Sequence, residues 1–399
     1  SKFEKGTSGW KKWMDRFGVG TPSVIRVANE LEKRAKFATQ GPDFKTIEKV
    51  AKNLNQGAFV YTIGFNASSA IVNLSQIPLF VYPYVGAEYG MVNAYNAIQK
   101  ASKLVMNSGA RNNLLANYDI SENRVYTVKD KLGKRTLQAG EKKTLEAFKP
   151  LIQEADSRGQ LTQSWLLDAL GIGETGRANK NLGDTVAGFS AWGFNQAERY
   201  NRQTTLLATY ELALRKAVDP NGRIKNFADV ADAASSEQVS AAVDKALRQT
   251  QETNGGSVLE TAPRIAQQHV GRVAMMYKSY GIRMYTTMIR SAKKLIWDQN
   301  ISKEEKQIAL KQLIGVHLSA LAFAGIQGVP LYGLITMIAD MFLDDEEDDA
   351  DTVVRKFVGE EWYKGGVNAL FGLDVATRVR LTGLLIQENR YNKDATTEE

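Results

Sequence analysis

A segment rich in Met and Tyr, residues 261–299, carries the side chains whose type and spacing most clearly suit the binding of a charged partner. Cationic groups stand between its Met, Tyr and Trp residues at helical spacing: Arg272, Lys278, Arg283, Arg290, Lys293 and Lys294. Guanidinium and ammonium groups along one helix can contact phosphates, whether of DNA or of lipid headgroups. Met and Tyr at this spacing are also typical of a core face or an adaptable interface. The segment therefore predicts either phosphate contact or internal packing.

Residue types that bind metals or act as nucleophiles are scarce in this sequence. There is no Cys, which excludes disulfides and thiolate metal sites, and the two histidines, His269 and His317, lie far apart. The sequence has neither a P-loop nor a G-x-S-x-G nucleophile motif. Glu360 and Glu361 are adjacent, so on a helix they point about 100° apart and make a poor acid–base couple. We therefore predict no enzymatic activity, no cofactor and no metal.

Two other patterns resemble functional motifs, and both have a structural interpretation. Gly171, Gly173 and Gly176 match the G-x-G-x-x-G spacing of dinucleotide-binding loops, which requires a preceding strand inside a βαβ unit. A helical pattern precedes them here, so we interpret them as a glycine-rich connection between helices. Glu198 and Arg202 are four residues apart and can pair along one helix face, which is typical of a structural or interface pair.

The composition indicates a helical globular protein with an uneven charge distribution. Of 399 residues, 43 % are hydrophobic and 24 % charged, with only eight prolines. The net charge is +7, yet residues 1–60 hold twelve basic against six acidic side chains, and residues 340–399 hold seven against fifteen. A basic front and an acidic tail favour electrostatic docking between neighbours, contact with nucleic acid or lipid, or simply a solvated surface.

The elements that must position these groups are organised around an uncharged stretch, residues 312–339. As one helix it would extend roughly 42 Å, which exceeds the ~30 Å of a bilayer core. Gly325, Gly328 and Pro330 should divide it, giving a first helix continuous with residues 304–312 and a second ending near Leu343. Small residues at four-residue spacing within it mark a close-packing face: Gly315, Ser319, Ala320, Ala324 and Gly328.

Two environments are open to this predicted hairpin, and its representative residues are Leu318, Leu321, Phe323, Pro330, Leu334 and Ile338. If the stretch spanned a bilayer, the acidic run at 344–351 would have to cross the apolar core, and moving several charges through it is costly. We therefore expect a buried hairpin first, with membrane insertion as a conditional second state.

A second uncharged stretch, residues 53–87, holds many Asn, Gln and Ser side chains, which make exposure to lipid costly. We predict a buried hairpin, with membrane insertion as the alternative, and we expect Pro78 and Pro83 to end its helix. A β-hairpin is predicted near 124–139 because Val125–Val128 are strand formers before a polar turn. Together these patterns predict an all-α fold, an extended multi-helix assembly with buried helical hairpins and one small β-hairpin insertion.

Four regions are expected along the chain. They are an N-terminal helical region with the uncharged stretch (1–107), an insertion with the β-hairpin (108–160), a middle helical region (161–255) and a C-terminal helical region (256–399). The sequence begins Ser-Lys-Phe without an initiator Met. We therefore expect it to be a piece of a longer protein.

Several segments together resemble a known family. They are NASSAIVNLSQIPLFVYPYVGAEYG, AERYNRQTTLLATYELAL, KSYGIRMY, LAFAGIQGVPLYG and GGVNALFGLDVATRV, which occur in this order over roughly residues 55–385. This succession resembles the C-terminal region of the large internal virion proteins, or DNA-ejection proteins, of short-tailed, T7-like bacteriophages and of related PLxRFG-type polyvalent phage proteins. The resemblance rests on apolar and small-residue patterns and covers no catalytic signature.

The resemblance implies a structural protein packaged in the capsid near the portal and ejected into the host envelope, where it helps to form a conduit for the genome. It implies a homo-oligomer with contacts to other phage core and portal proteins, to double-stranded DNA without sequence specificity, and to the host inner membrane after ejection. Some members carry a lytic transglycosylase domain far upstream, and no catalytic residue is carried over to this sequence. The alternative is a DNA-binding or membrane-associated helical scaffold with no role in ejection.

Overall fold

The computed structural model describes six continuous segments, together with four short strands and a few isolated positions. The segments are 73–107, 139–158, 192–255, 279–298, 300–329 and 350–372. Within them the chain is almost entirely helical, which confirms the predicted all-α class. The glycine-rich segment 171–176 and the acidic run 344–349 lie outside the described residues, as do most of the stretches 1–72 and 330–349.

Twelve α-helices are described, and we number them in chain order. They are α1 Tyr82–Tyr89, α2 Met91–Asn107, α3 Ala139–Ala147, α4 Lys149–Ser157, α5 Trp192–Val218, α6 Phe227–Ala233, α7 Ser236–Thr250, α8 Ser279–Ile296, α9 Lys303–Ala324, α10 Ala350–Val358, α11 Glu360–Lys364 and α12 Gly366–Phe371. Two π-helical turns, Ile77–Val81 and Gln251–Gly255, adjoin α1 and α7, and a 3₁₀ turn, Ile326–Gly328, follows α9.

The long helix α5 lies at the centre of the core. It packs on α2 and α7 along most of its length and also contacts α6. The aromatic rings of Phe148, Tyr210 and Phe227 form a cluster with centroid separations of 4.7–5.9 Å. Polar residues in the middle of α5 are as deeply buried as the leucines around them, for example Asn201, Gln203 and Thr204. This helix therefore needs hydrogen-bond partners from its neighbours as well as apolar contacts.

The prolines of the segment IPLFVYPYV do not end its helix, contrary to our expectation. The chain runs through Pro78 and Pro83 as a π-helical turn followed directly by α1, and helical structure stops only at Gly90, whose φ is +90°. Both prolines fall at the first or second position of an element, where a missing N–H costs little. The same segment is deeply buried through Leu79, Phe80 and Val85, as predicted.

The insertion contains two short antiparallel strand pairs. Strands β1 (Tyr118–Asp119) and β2 (Arg124–Val125) form the first, and β3 (Thr127–Asp130) and β4 (Gly133–Thr136) form the second. The second pair is a hairpin in which Thr127 faces Thr136 and Asp130 faces Gly133. It lies inside the range in which the sequence predicts a β-hairpin.

Helices α8 and α9 form a helical hairpin that packs on α1 through α9. A capping box starts α9, because the Ser302 hydroxyl accepts from the Glu305 amide while the Glu305 carboxylate accepts from the Ser302 amide. The helix ends at Gly325, which has a φ of +66°. The uncharged stretch is thus divided at Gly325, as predicted, and its first half is continuous with the charged turn before it. Of its second half, the 3₁₀ turn and Val329 are described, and beyond them only Tyr332, Thr336 and Ala339, which are helical.

Candidate functional site

The hairpin formed by α8 and α9 brings together most of the described residues for which the sequence predicts a role. The buried face of α9 consists mainly of small residues, with one amide and one valine: Ala309, Gln312, Gly315, Val316, Ala320 and Ala324. A Cβ on Gly315 would lie only 3.0 Å from Cβ of Pro83, so α1 and α9 approach each other at the van der Waals limit. The predicted close-packing face is therefore confirmed at Gly315, Ala320 and Ala324, while Ser319 is half-buried.

The opposite face of α9 carries its large apolar side chains into solvent. Leu310, Ile314, Leu318 and Leu321 are 37–60 % exposed. At 100° per residue they fall within an arc of about 80°, and they extend along roughly 16 Å of the helix. We call these four residues the outer stripe. The prediction of a buried hairpin is wrong for Leu318 and Leu321, because close packing on Pro83 favours the small-residue face and turns the leucines outward.

Phe323 behaves differently from the outer stripe, because it is half-buried and packs against the core. The remaining hairpin residues of the prediction, Pro330, Leu334 and Ile338, lie outside the described residues. The burial of Phe323 therefore limits the exposed apolar surface of α9 to a single stripe.

The exposed surface of α9 changes character along the helix. Its first turns expose Lys303, Glu304, Gln307 and Lys311 beside Leu310, whereas the turns after Lys311 expose the rest of the outer stripe, Ile314, Leu318 and Leu321. One helix, among those described, is long and apolar enough to cross a membrane on length and composition alone, and it is α9. A polar end followed by an apolar outer face suits a helix that lies at an interface between water and an apolar phase.

The basic residues of the Met/Tyr segment divide into three groups. Arg290, Lys293 and Lys294 lie on α8 and are exposed, and Arg290 Nη1 lies 3.8 Å from Glu252 Oε1. Arg283 belongs to α8, but the structure does not describe its side chain. Arg272 and Lys278 lie outside the described residues.

The opposite face of α8 is internal, with Tyr285 and Met288 buried. Internal packing is therefore confirmed for Tyr285 and Met288, whereas phosphate contact by the exposed cations of the other face stays a prediction. At its end, Ile296 and the following Trp297 are about two-thirds exposed, which adds apolar surface beside the exposed lysines Lys293 and Lys294.

A buried hydrogen bond joins the two helices of the hairpin. The Ser291 hydroxyl donates to Gln312 Oε1 at 3.2 Å. Within α9, His317 Nδ1 lies 2.7 Å from the carbonyl oxygen of Leu313, one turn earlier, so this ring nitrogen has a hydrogen-bond partner within its own helix. Groups of three or more His, Asp or Glu residues that could hold a metal ion are absent from the described part of the chain.

A polar network inside the core was not foreseen from the sequence. Asn201 Nδ2 donates to the Asn73 carbonyl at 2.7 Å and lies 3.3 Å from Gln76 Oε1, and Gln76 Nε2 in turn donates to the Thr253 carbonyl at 2.8 Å. Arg202 is 2 % exposed and contacts Glu198 at 3.5 Å, the pair that the i, i+4 spacing predicts. The only available signal was the density of amide side chains in residues 53–87 and in α5. These contacts join α5, the residues before α1 and the π-helical turn after α7, and they stabilise the packing of the core.

The carboxylate of Glu360 is engaged by two basic side chains. Glu360 accepts hydrogen bonds from Arg355 at 2.5 Å and 2.9 Å and also pairs with Lys364. The guanidinium of Arg355, followed by the ammonium of Lys364, holds the pKa of Glu360 below its usual range. A carboxylate kept ionised in this way serves as a structural acceptor.

Taken together, the fold and this surface describe an all-α protein whose helical hairpin exposes apolar side chains next to cations. No family model, no curated protein and no solved structure matches this chain.

Proposed function

We propose that this chain is a structural internal virion protein of a short-tailed phage, part of the portal-proximal ejection apparatus that helps to form a conduit for the genome across the host envelope. The observation that carries the proposal is the outer stripe on α9, which exposes leucines while small residues of the same helix are buried. The order of the segments that resemble internal virion proteins supports it further.

The outer stripe favours contact with lipid on energetic grounds. Removing four half-exposed aliphatic side chains from water stabilises the bound state by roughly 1 kcal/mol each. In this contact α9 lies along the interface with the outer stripe toward the acyl chains, because only that face of the helix is exposed and apolar. Its charged first turns, which include Lys303 and Lys311, would remain at the level of the headgroups.

The exposed cations of α8 favour contact with an anionic membrane as well. Lys293 and Lys294 follow the buried Met288 and Ser291 on this helix and point away from the core. Anionic lipid attracts each such cation by about 1 kcal/mol. The proposal places the protein inside the capsid near the portal and then in the host envelope, with copies of itself and other core proteins as partners.

The test is flotation of the purified protein with vesicles that contain phosphatidylglycerol. We expect the wild type to float and the triple variant Ile314→Gln/Leu318→Gln/Leu321→Gln to lose most of its binding. The matched control is Val92→Gln/Met106→Gln, which makes the same type of change at two exposed apolar residues of α2. Circular dichroism checks that all three proteins fold. Equal flotation of the triple variant and the wild type would overturn the proposal.

A second candidate function, sequence-independent binding of double-stranded DNA, rests on the exposure of Arg290, Lys293 and Lys294. Replacing these three and Arg283 with Gln should lower DNA affinity and reduce the salt dependence of log K by about 0.9 for each phosphate that the variant no longer neutralises. Lys103→Gln/Lys356→Gln removes exposed cations elsewhere and serves as the control. An unchanged salt dependence in the quadruple variant would rule out this surface as the DNA-binding face.

A further inference from the structure

A surface pocket lies at the C-terminal end of α5, and no residue of the outer stripe lines it. Its walls come from the end of α1, the first half of α2, the last two turns of α5 and the turn at residues 219–225. Its volume is about 510 Å³, which is within the range of sites that hold small molecules. Ionisable side chains dominate its lining, so its chemistry is decided by which charges are already neutralised within the protein.

The carboxylates of the pocket are engaged by the protein itself. Glu211 is almost fully buried and accepts from Arg215 Nε at 2.9 Å, with Lys100 Nζ at 3.4 Å. Glu88 lies 2.8 Å from Lys245 Nζ and also accepts from Gln249 Nε2 at 2.7 Å.

The third carboxylate, that of Asp219, accepts from the backbone amide of Ile224 at 2.5 Å and so closes the turn. The Arg215 guanidinium is also committed, because it donates to the carbonyls of Ile224 at 2.8 Å and Lys225 at 3.1 Å. Glu88 and Glu211 are thus paired with Lys245 and Arg215, while Asp219 keeps its negative charge. The positive charge available to a ligand comes from the lysines of the rim, of which Lys100 also makes a longer contact with Glu211.

Three ammonium groups line this rim, those of Lys100, Lys216 and Lys225. Lys100 and Lys216 are each about half exposed, and Lys225 is exposed. Lys216 Nζ lies 5.9 Å from the centroid of the Tyr89 ring and 3.3 Å from Glu304 Oε1 at the start of α9. Because the Glu304 side chain is 72 % exposed, a ligand can displace it at small cost.

We propose that this pocket binds a small phosphate-bearing anion, with the ammonium groups of Lys100, Lys216 and Lys225 as its cationic ligands and the Glu304 carboxylate as the internal competitor for Lys216. Lysine binds phosphate as a point charge and tolerates a range of geometries. The concave shape favours an anion the size of pyrophosphate or of a nucleotide over an extended polymer. The proposal is independent of the function proposed above, because it uses no residue of the outer stripe.

Isothermal titration with pyrophosphate tests the pocket directly. We expect saturable binding by the wild type, a loss of at least tenfold in affinity for Lys100→Gln/Lys225→Gln, and no change beyond twofold for Lys103→Gln. Lys103 lies on the same helix as Lys100 and is exposed, but it does not line the pocket. Glu304→Gln should tighten binding several-fold because it releases the ammonium of Lys216. Absence of saturation, or equal losses in Lys103→Gln and the double variant, would overturn the proposal.

The phosphate could be free in solution or belong to a lipid headgroup, and vesicle flotation separates the two sources. If Lys100→Gln/Lys225→Gln loses pyrophosphate binding and still floats with phosphatidylglycerol vesicles, the ligand is a free anion. If the same variant loses both, the pocket holds a headgroup. Failure of the pocket test leaves the outer-stripe result untouched, so the two proposals fail separately.

Discussion

Gly325 and Gly365 meet backbone to backbone, the first at the end of α9 and the second just before α12. A Cβ on Gly325 would lie 2.5 Å from the amide nitrogen of Gly365 and 2.6 Å from the carbonyl oxygen of Trp362. Both glycines also have positive φ angles, +66° and +82°. The short C-terminal helices are therefore held against the end of α9 by a contact that no other residue type allows.

This contact predicts that Gly365→Ala destabilises the protein by more than about 2 kcal/mol, because the new methyl group meets backbone as well as an unfavourable φ. Gly359→Ala is the matched control, since Gly359 has a φ of +81° and nothing within 4 Å of the position of a Cβ. It should cost only about 1 kcal/mol. Chemical denaturation measures both values, and equal losses would show that the close approach of Gly325 does not matter.

Tyr210 and Tyr84 should respond oppositely to replacement by Phe. The Tyr210 hydroxyl is buried and has no hydrogen-bond partner within the described part of the chain, so Tyr210→Phe should leave stability unchanged or raise it by up to about 1 kcal/mol. The Tyr84 hydroxyl donates to Glu252 at 2.6 Å, so Tyr84→Phe should lower stability by about 1–2 kcal/mol. Denaturant titration of the two variants checks this, and the reverse order would contradict it.

The burial of Tyr210 predicts that the protein loses stability as the pH rises into the alkaline range. Burial raises the pKa of Tyr210 to about 12, against about 10 in an unfolded chain. Its contribution is fully present below pH ~10, where the phenol is protonated in both states, and is lost as the pH rises from about 10 to 12. Tyr210→Phe should therefore lose less stability than the wild type over this window. Parallel curves for the two proteins would contradict the shift.

Asn201 donates the hydrogen bonds that link α5 to Asn73 and Gln76. Replacing its amide NH₂ with a carboxylate oxygen should therefore destabilise the core. In Asn201→Asp a carboxylate would face the Asn73 carbonyl and Gln76 Oε1, where the amide now donates. We expect a loss of about 2–4 kcal/mol at pH 7. The pKa of the new carboxyl should be raised, so the loss should shrink as the pH falls toward about 4, where the group is protonated.

The control for this substitution is Asn221→Asp, the same exchange at an exposed position in the turn after α5. It should change the free energy of unfolding by no more than about 0.5 kcal/mol. Thermal or urea unfolding at pH 7 and pH 4 compares the two variants. A loss at Asn201→Asp that does not depend on pH would mean that the carboxylate finds another donor.

The two faces of α9 should tolerate opposite kinds of substitution, polar residues on the outer face and only small residues on the inner face. Leu318→Ser, a polar replacement on the outer stripe, should cost less than about 1 kcal/mol because the side chain is 60 % exposed. Gly315→Leu, an apolar replacement on the inner face, should cost at least about 1–3 kcal/mol because Pro83 leaves no room for it. Unfolding by urea measures both, and a larger loss at Leu318→Ser would show that the face assignment is wrong.

The sequence by itself determined the helical class, the division of the uncharged stretch at Gly325, and the small-residue packing face of α9. These features depend on local properties, namely helix propensity, the conformational freedom of Gly, and side-chain volume at helical spacing. The Glu198–Arg202 pair was predictable for the same reason, because an i, i+4 contact needs nothing beyond the helix itself.

Only the tertiary structure decided which apolar residues face the core. The second half of α9 is apolar on nearly every side, so its sequence marks the small-residue packing face but cannot show that the leucines of the other face stay exposed. The close approach of Pro83 to Gly315 selects the small-residue face, and the outer stripe of leucines is the consequence. In α5 the reverse holds, since this helix is rich in polar residues and is nevertheless buried. The amide of Asn201 finds its acceptors on Asn73 and Gln76, which come from a distant part of the chain.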